Sequence, residues 1–246
     1  MLTVGSLFAG IGGIELGLER AGGGGHFKTV WQVEIDEYAR RVLEKHWPGV
    51  RRWDDVRTFP PEGDWHCDII TGGDPCQENS GARFSDHTTQ QSLGGEFLRV
   101  VDALRPRLVL RENPSHTRTD APWSWWRIRA GLESLGYAVL PFRFRACCVG
   151  ADHERERLFL LAEDTNPRSK RLEGGYGEGS RSVQPPSLQT LVEENDWPHV
   201  PGPGGYGSRN GIPGGVDRVK CIGNAVVPQV AEWIGNRILE HETTQE

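Results

Sequence analysis

The stretch LTVGSLFAGIGGIELGLERA, residues 2–21, decides the architecture. Residues 2–8 are a short apolar run of strand length. Phe8-Ala9-Gly10-Ile11-Gly12-Gly13 is a glycine-rich turn, and residues 14–21 carry apolar side chains at three- and four-residue spacing. A strand passing through a tight turn into a helix opens a βαβ unit. The unit recurs outward from there. A strand over 29–33 ends at Glu34 and leads into a helical pattern over 36–46. Strands over 67–71 and 108–110 run into Gly72-Gly73 and Arg111-Glu112-Asn113, with a helical pattern over 95–104 between them. The spacing predicts a further helix over 122–135, then strands over 137–146 and 157–162 forming an antiparallel edge. The sum is an α/β fold with a doubly wound, mostly parallel sheet.

The chain has 246 residues, of which 36% are hydrophobic, enough to bury one sizeable core. Its 32 Gly and 16 Pro forecast long irregular loops. These concentrate after Ala162, where residues 163–210 lose all periodicity. The chain therefore divides into a periodic α/β region over 1–162, a short irregular insertion over 163–215, and a C-terminal segment over 216–246. Residues 228–239 of that segment read as an amphipathic helix with Pro in its first turn. No run of eighteen apolar residues exists, which argues against a membrane span. The N-terminus carries no signal-peptide pattern, and Cys67, Cys76, Cys147, Cys148 and Cys221 form no disulfide framework, so a reducing, cytoplasmic setting is expected. The net charge of −6 argues against bulk nonspecific coating of nucleic acid, but not against a local basic groove. Within it, residues 105–145 hold eight Arg against three acids, with Trp123, Trp125 and Trp126 among them, which reads as a local basic patch with stacking surfaces.

Four constellations can carry chemistry. The Gly10–Gly13 turn lets backbone approach a ligand at a helix N-terminus, and Glu34, about twenty residues on, is placed to hold ribose hydroxyls. The turn means a nucleotide-like cofactor or a bare βα turn, and because the spacing is not G-x-G-x-x-G, an NAD-type oxidoreductase is disfavoured. Gly72-Gly73-Asp74-Pro75-Cys76-Gln77 puts a thiol on a rigid turn at a strand's carboxyl end, where a nucleophile or an inert small residue would sit. Glu112, on the same rim, can bind a heterocycle's ring nitrogen and exocyclic amine, or pair with Arg111 or Arg99. Arg155 and Arg157 share a face if their segment is extended, and can clamp a phosphate or orient a carboxylate. Cys147-Cys148 with His153 is not a metal spacing; both thiols read as core or near-core, and no metal is expected.

In this order the motifs resemble those of the DNA cytosine-5 methyltransferases, from end to end of the chain. The resemblance implies a Rossmann-like class I methyltransferase fold and S-adenosylmethionine as cofactor. Phe8, Ala9, Gly10, Gly12 and Gly13 match the family's cofactor loop, Glu34 its ribose-binding acid and Asp55 its adenine-contacting Asp. Pro75-Cys76-Gln77 with Ser80 matches the nucleophile loop, Glu112-Asn113 the base-binding Glu and its neighbour, and Arg155-Glu156-Arg157 the Arg-x-Arg motif. Asn224 and Ala225 lie in the C-terminal motif that completes the cofactor site. The implied chemistry is methyl transfer to C5 of a flipped-out cytosine through a covalent bond from Cys76 to C6, with Cys76, Glu112, Arg155 and Arg157 catalytic, and Gln77, Ser80 and Asn113 contacting substrate. The implied partner is double-stranded DNA, bound by a monomer in the cytoplasm of a bacterial host or phage-infected cell. Rival readings are an RNA cytosine methyltransferase and a noncatalytic DNA-binding relative. Asp74 and Pro114 depart from the family pattern, where an aromatic or small residue and Val are usual, and His153 stands for the usual Gln. Asp74 is expected to raise the pKa of the neighbouring thiol. Only about 65 residues separate Arg157 from Gly223, fewer than the family's recognition domain usually takes, as in short phage and prophage forms.

Overall fold

The computed structural model describes residues 1–74, 93–114, 125–165 and 225–244. Among them, seven strands make one sheet: β1 (Leu2–Leu7), β2 (Phe27–Val33), β3 (Arg51–Trp53), β4 (Ile69–Gly72), β5 (Leu108–Pro114), β6 (Tyr137–Arg145) and β7 (Glu156–Asp164). Their order is β3-β2-β1-β4-β5-β7-β6. The first five are parallel, and β7 runs antiparallel to both neighbours. The chain winds outward to β3 on one side of β1 and to β6 on the other. The crevice beyond the carboxyl ends of β1 and β4 is thus the switch point where doubly wound sheets bind ligands.

The helices are α1 (Gly13–Arg20), α2 (Glu37–His46), α3 (Leu93–Leu104), α4 (Trp125–Ser134) and α5 (Pro228–Thr244). Ile14 and Leu18 of α1 and Val230, Ala231, Ile234 and Ile238 of α5 form a core with Val4, Ile69, Leu110 and Phe159 on one sheet face. Phe97, Val100 and Leu104 of α3 and Ile128 and Leu132 of α4 fill the other face with Leu7, Ile70, Val109 and Leu160. β5 is buried along its length before Pro114, as a strand covered on both faces must be. Asp36 caps α2, accepting from the backbone N–H groups of Tyr38 and Ala39. Trp31 lies flat over Gly5, where a Cβ would come 2.0 Å from the indole ring, and β1 shifts register against β2 at that point.

The doubly wound sheet is the architecture the pattern predicts, with two differences. The antiparallel pair is not a simple edge: β7 inserts between β5 and β6, taking the place that the β5–α4–β6 crossover skips. β3 carries no apolar run, since Arg51-Arg52-Trp53 is an edge strand with charged, partly exposed side chains. β7 also runs to Asp164, so the strand extends across the expected start of the insertion at 163. The rest of that insertion lies outside the described residues. α5 packs back on α1, where Gly17 makes room: a Cβ there would come 2.2 Å from the Pro228 carbonyl oxygen.

Candidate active site

The carboxyl ends of β1 and β2 meet at Glu34. Its Oε2 accepts from the Gly10 backbone N–H at 2.7 Å and its Oε1 from that of Asp36 at 2.8 Å. One carboxylate therefore ties the glycine turn after β1 to the start of α2. Burial raises its pKa, and the two backbone donors partly offset this. The glycines of the turn serve three ends. Gly10 has φ of 57° and open space where a Cβ would point. Gly12 clears the ring of Trp47, and at Gly13 a Cβ would come 2.3 Å from the Val226 carbonyl oxygen. Phe8 also adopts a left-handed φ of 54°, uncommon for a residue with a side chain. Beside this turn Ile35 is 61% exposed, a large apolar surface that sequence reading passed over.

Asp55 follows β3 and caps a short 3-10 turn over Val56–Thr58. Arg57 grips its carboxylate, with Nε at 2.9 and 3.0 Å from the two oxygens and Nη2 at 2.6 Å from Oδ2. The guanidinium holds the Asp55 carboxyl below its ordinary pKa. Ala225 sits ahead of α5, and its carbonyl accepts from Arg155 Nη2 at 2.6 Å. The last turn before α5 is therefore held between Gly13 of α1 and Arg155 of the β7 approach.

Glu112 lies at the carboxyl end of β5, opposite Phe159 of β7. Its carboxyl is buried, and Arg157 Nε approaches Oε1 to 2.7 Å. The N–H is not aimed along that line, so the contact is electrostatic more than hydrogen-bonded. Burial pushes the Glu112 carboxyl up to about 7, with Arg157, Arg155 and Arg111 opposing the rise and Asp74 adding to it. The expected partners Arg111 and Arg99 are engaged elsewhere. Arg99 pairs with Glu96, and Arg111 with Asp74, Nε at 2.7 Å and Nη2 at 2.5 Å from Oδ1. Arg111 is 2% and Asp74 9% exposed, and Asn113 Nδ2 donates to the same oxygen at 3.2 Å. Asp74 thus carries a matched charge. The sequence flags Asp74 as a departure from the pattern but contains no local sign of its partner 37 residues on.

Arg155 and Arg157 do not share a face as alternate residues of a strand. β7 begins at Glu156, and Arg155 has φ of 34°, which turns its side chain toward Ala225. Both arginines nonetheless line one small cavity, about 10 Å³, with Phe144, Phe159, Val226 and Val230. The arginine-rich segment does not form one patch among the described residues. Arg105 binds Asp164, Arg107 binds Glu242, Arg111 binds Asp74, and Arg143 and Arg145 flank Glu156. Trp126 is 49% exposed on α4. Cys147 is buried and Cys148 half-buried against the core, as expected of core or near-core thiols. Pro75, Cys76, Gln77, Ser80 and Asn224 lie outside the described residues, as do Trp123 and the side chain of Trp125.

A family model described as C-5 cytosine-specific DNA methylase matches residues 2–197. Among curated relatives, the type II methyltransferase M2.BsuMI of Bacillus subtilis is 26% identical across 96% of this chain and 75% of its own length. M.Bsp6I of a Bacillus species and M.Eco47II of Escherichia coli are 31% and 33% identical over 65% of the chain, but over 52% and 39% of their own lengths. Of solved structures, a putative DNA modification methyltransferase encoded within an E. coli prophage superposes with a TM-score of 0.55 at 27% identity, over 78% of this chain and 55% of that one. The S. pombe Dnmt2 methyltransferase, at 18% identity and a TM-score of 0.58 over 80% and 56%, shares the fold. The chain thus spans about half the length of most of the proteins it matches.

Proposed function

The chain belongs to the C-5 cytosine-specific DNA methylase family, and from that membership we propose that it transfers a methyl group from S-adenosylmethionine to C5 of a cytosine turned out of double-stranded DNA. The observation that carries the reading is Glu112: a carboxyl at the sheet's carboxyl rim, buried, faced by Arg157 and raised to about 7. Such a group is partly protonated near neutrality. It can donate to a ring nitrogen with one oxygen and accept from an exocyclic amine with the other, the pattern that cytosine N3 and N4 present.

The residues of this chain then divide the work. The Cys76 thiolate attacks C6, forming the S–C6 bond, and the electron pair of the C5–C6 double bond moves to C5. Glu112 supplies a proton at N3, which keeps that negative charge from accumulating on the ring. S-adenosylmethionine, when bound, supplies an electrophilic methyl to the activated C5. Loss of the C5 proton to a base re-forms the C5–C6 double bond as the Cys76 thiolate leaves from C6, and the N3 proton returns to the Glu112 carboxylate. Arg157 holds the Glu112 carboxyl in place, and Arg155 holds the segment before α5. Gln77, Ser80 and Asn113 are assigned to the substrate side. Extracting the base from the stack costs a few kcal/mol, which backbone contacts must offset.

For the cofactor, the donor set fits a ribosyl sulfonium. Glu34 retains lone pairs beyond its two backbone donors, Gly10 opens onto free space, and Ile35 offers an apolar face for a ring. Phe8, Ala9, Gly12, Gly13, Asp55, Pro75, Asn224 and Ala225 complete the proposed site. Asp55 would share its carboxylate between Arg57 and the adenine amine. The protein acts as a monomer in the cytoplasm of a bacterial or phage-infected cell, with residues 1–164, to the end of β7, and 216–246 as the catalytic body and 165–215 as a short recognition insertion. The type II and prophage relatives support that setting. Methylation sequencing of DNA from cells expressing the wild type and Cys76→Ser tests the reading. A defined sequence context carrying 5-methylcytosine only in the wild type is expected. Unmodified DNA, or methyl on N4, would overturn it.

A further inference from the structure

Glu112 is gripped through its neighbours. Along a strand, successive side chains point to opposite faces, so Arg111 and Asn113 share one face of β5 and Glu112 occupies the other. Both neighbours reach the same atom, Asp74 Oδ1, by the 2.7 Å bond from Arg111 Nε and the 3.2 Å bond from Asn113 Nδ2. The residue before Asp74 touches Glu112 itself: a Cβ on Gly73 would come 2.8 Å from Glu112 Oε2. The two-residue segment after β4 therefore straddles the end of β5, with Asp74 on one face and Gly73 against the carboxyl on the other.

We propose that Asp74 is a positioning residue for Glu112, fixing the rotation of the β5 end by holding residues 111 and 113, so that the 112 carboxyl is aimed at Arg157 and the rim crevice. The geometry stands by itself; the catalytic consequence rests on the reading of Glu112 as the base-binding carboxyl. A buried ion pair is a weak source of stability but a strong source of register, because breaking it leaves a charge unmatched. That explains why an acid is tolerated beside the nucleophile turn: its charge is matched by Arg111, and its oxygen orients the neighbouring strand.

The decisive variant is Asp74→Leu combined with Arg111→Met. It removes one charge of each sign near Glu112, so the two electrostatic changes oppose each other, with the larger loss, that of Arg111, raising the Glu112 midpoint and not lowering it; apolar pairs commonly replace buried ion pairs without loss of fold. Two readouts on the full chain are needed. One is the titration of the Glu112 carboxyl by carbon-13 NMR, assigned by comparison with Glu112→Gln. The charged groups that face it are Arg157, Arg155, Arg111 and Asp74, and only the last two change. The midpoint should fall by about one pH unit or more as the freed strand end lets the carboxyl reach water. The other is methyl transfer to unmethylated genomic DNA, which should drop about tenfold or more with the cofactor dissociation constant unchanged. Asp74→Asn combined with Arg111→Gln keeps an accepting oxygen and a donor across the strand end without leaving a buried charge unmatched, and should retain transfer within about threefold. A Leu/Met double variant with an unmoved midpoint and full transfer overturns the proposal, as does an Asn/Gln double variant as impaired as the Leu/Met one. If Glu112→Gln transfers normally, the reading of Glu112 has failed instead, and the titration still decides the clamp.

Discussion

Glu34 shows how much one side chain does. It joins the turn after β1 to the start of α2 through two backbone donors, while presenting the rest of its carboxylate to the crevice. Glu34→Gln keeps the shape but puts an NH2 against one of those backbone N–H groups. Binding of S-adenosylhomocysteine should weaken by about 1.5–3 kcal/mol, read by calorimetry. An unchanged dissociation constant would place the ribose elsewhere. Glu34 was legible in sequence because a carboxylate at a strand end after a glycine turn is a local pattern. The Asp74–Arg111–Asn113 group was not, because its members are 37 and 39 residues apart and only the β4–β5 pairing brings them together. Read locally, Arg111 looks like a partner of Glu112; in the fold, the alternation of the strand sends the two to opposite faces.

Elements were legible where periodicity is strong and less so where tertiary pairing decides. The pattern predicts α1, α2 and α3, and β1, β2, β4 and β5 start or stop within three or four residues of expectation, since apolar period and turn residues agree there. β3 escaped because three residues with two arginines carry no apolar signal, and the insertion of β7 between β5 and β6 is a matter of pairing, not of local sequence. Arg155 is the hinge of that arrangement: its left-handed backbone takes it out of the strand and onto the carbonyl of Ala225. α5 closes against α1 through glycines, so Gly17→Ala should push the helices apart. A Cβ there would meet the Pro228 oxygen at 2.2 Å and the Ala231 Cβ at 2.5 Å, and neither can give way alone. A loss of about 1–3 kcal/mol in chemical denaturation is expected. Weaker cofactor binding should accompany it, because Ala225 and Val226 move with α5. Wild-type stability and binding in this variant would show that α5 is not a fixed wall of the site.

At the scale of the whole molecule, the fold encloses, among the described residues, two carboxyls that burial raises to about 7: Glu112 at the rim and Glu15, fully enclosed in the first turn of α1 near Ser6 and Gln32. A folded-state pKa above the ordinary value of 4.5 means that the folded chain holds protons the unfolded chain releases. Stability from these groups is therefore fully present below about pH 4.5 and is lost as pH rises to about 7, then stays level. Glu15→Gln removes one of them without changing shape. Its stability by chemical denaturation should match the wild type below about pH 4.5 and exceed it at about pH 8, by up to about 3 kcal/mol; equal stability at both pH values would mean that Glu15 is not buried as a charge. The central claim concerns the whole assembly of rim, carboxyl and thiol, and covalent trapping tests it most directly. If Cys76 adds to C6, the adduct resolves only when the C5 substituent leaves as a proton, and fluorine cannot leave as a cation. Protein, S-adenosylmethionine and random-sequence duplex DNA containing 5-fluorocytosine should give a denaturant-resistant protein–DNA band that requires cofactor, vanishes in Cys76→Ser and is slowed in Glu112→Gln. Robust C5 methylation of the same DNA with unsubstituted cytosine, and no trapped band, would contradict the account.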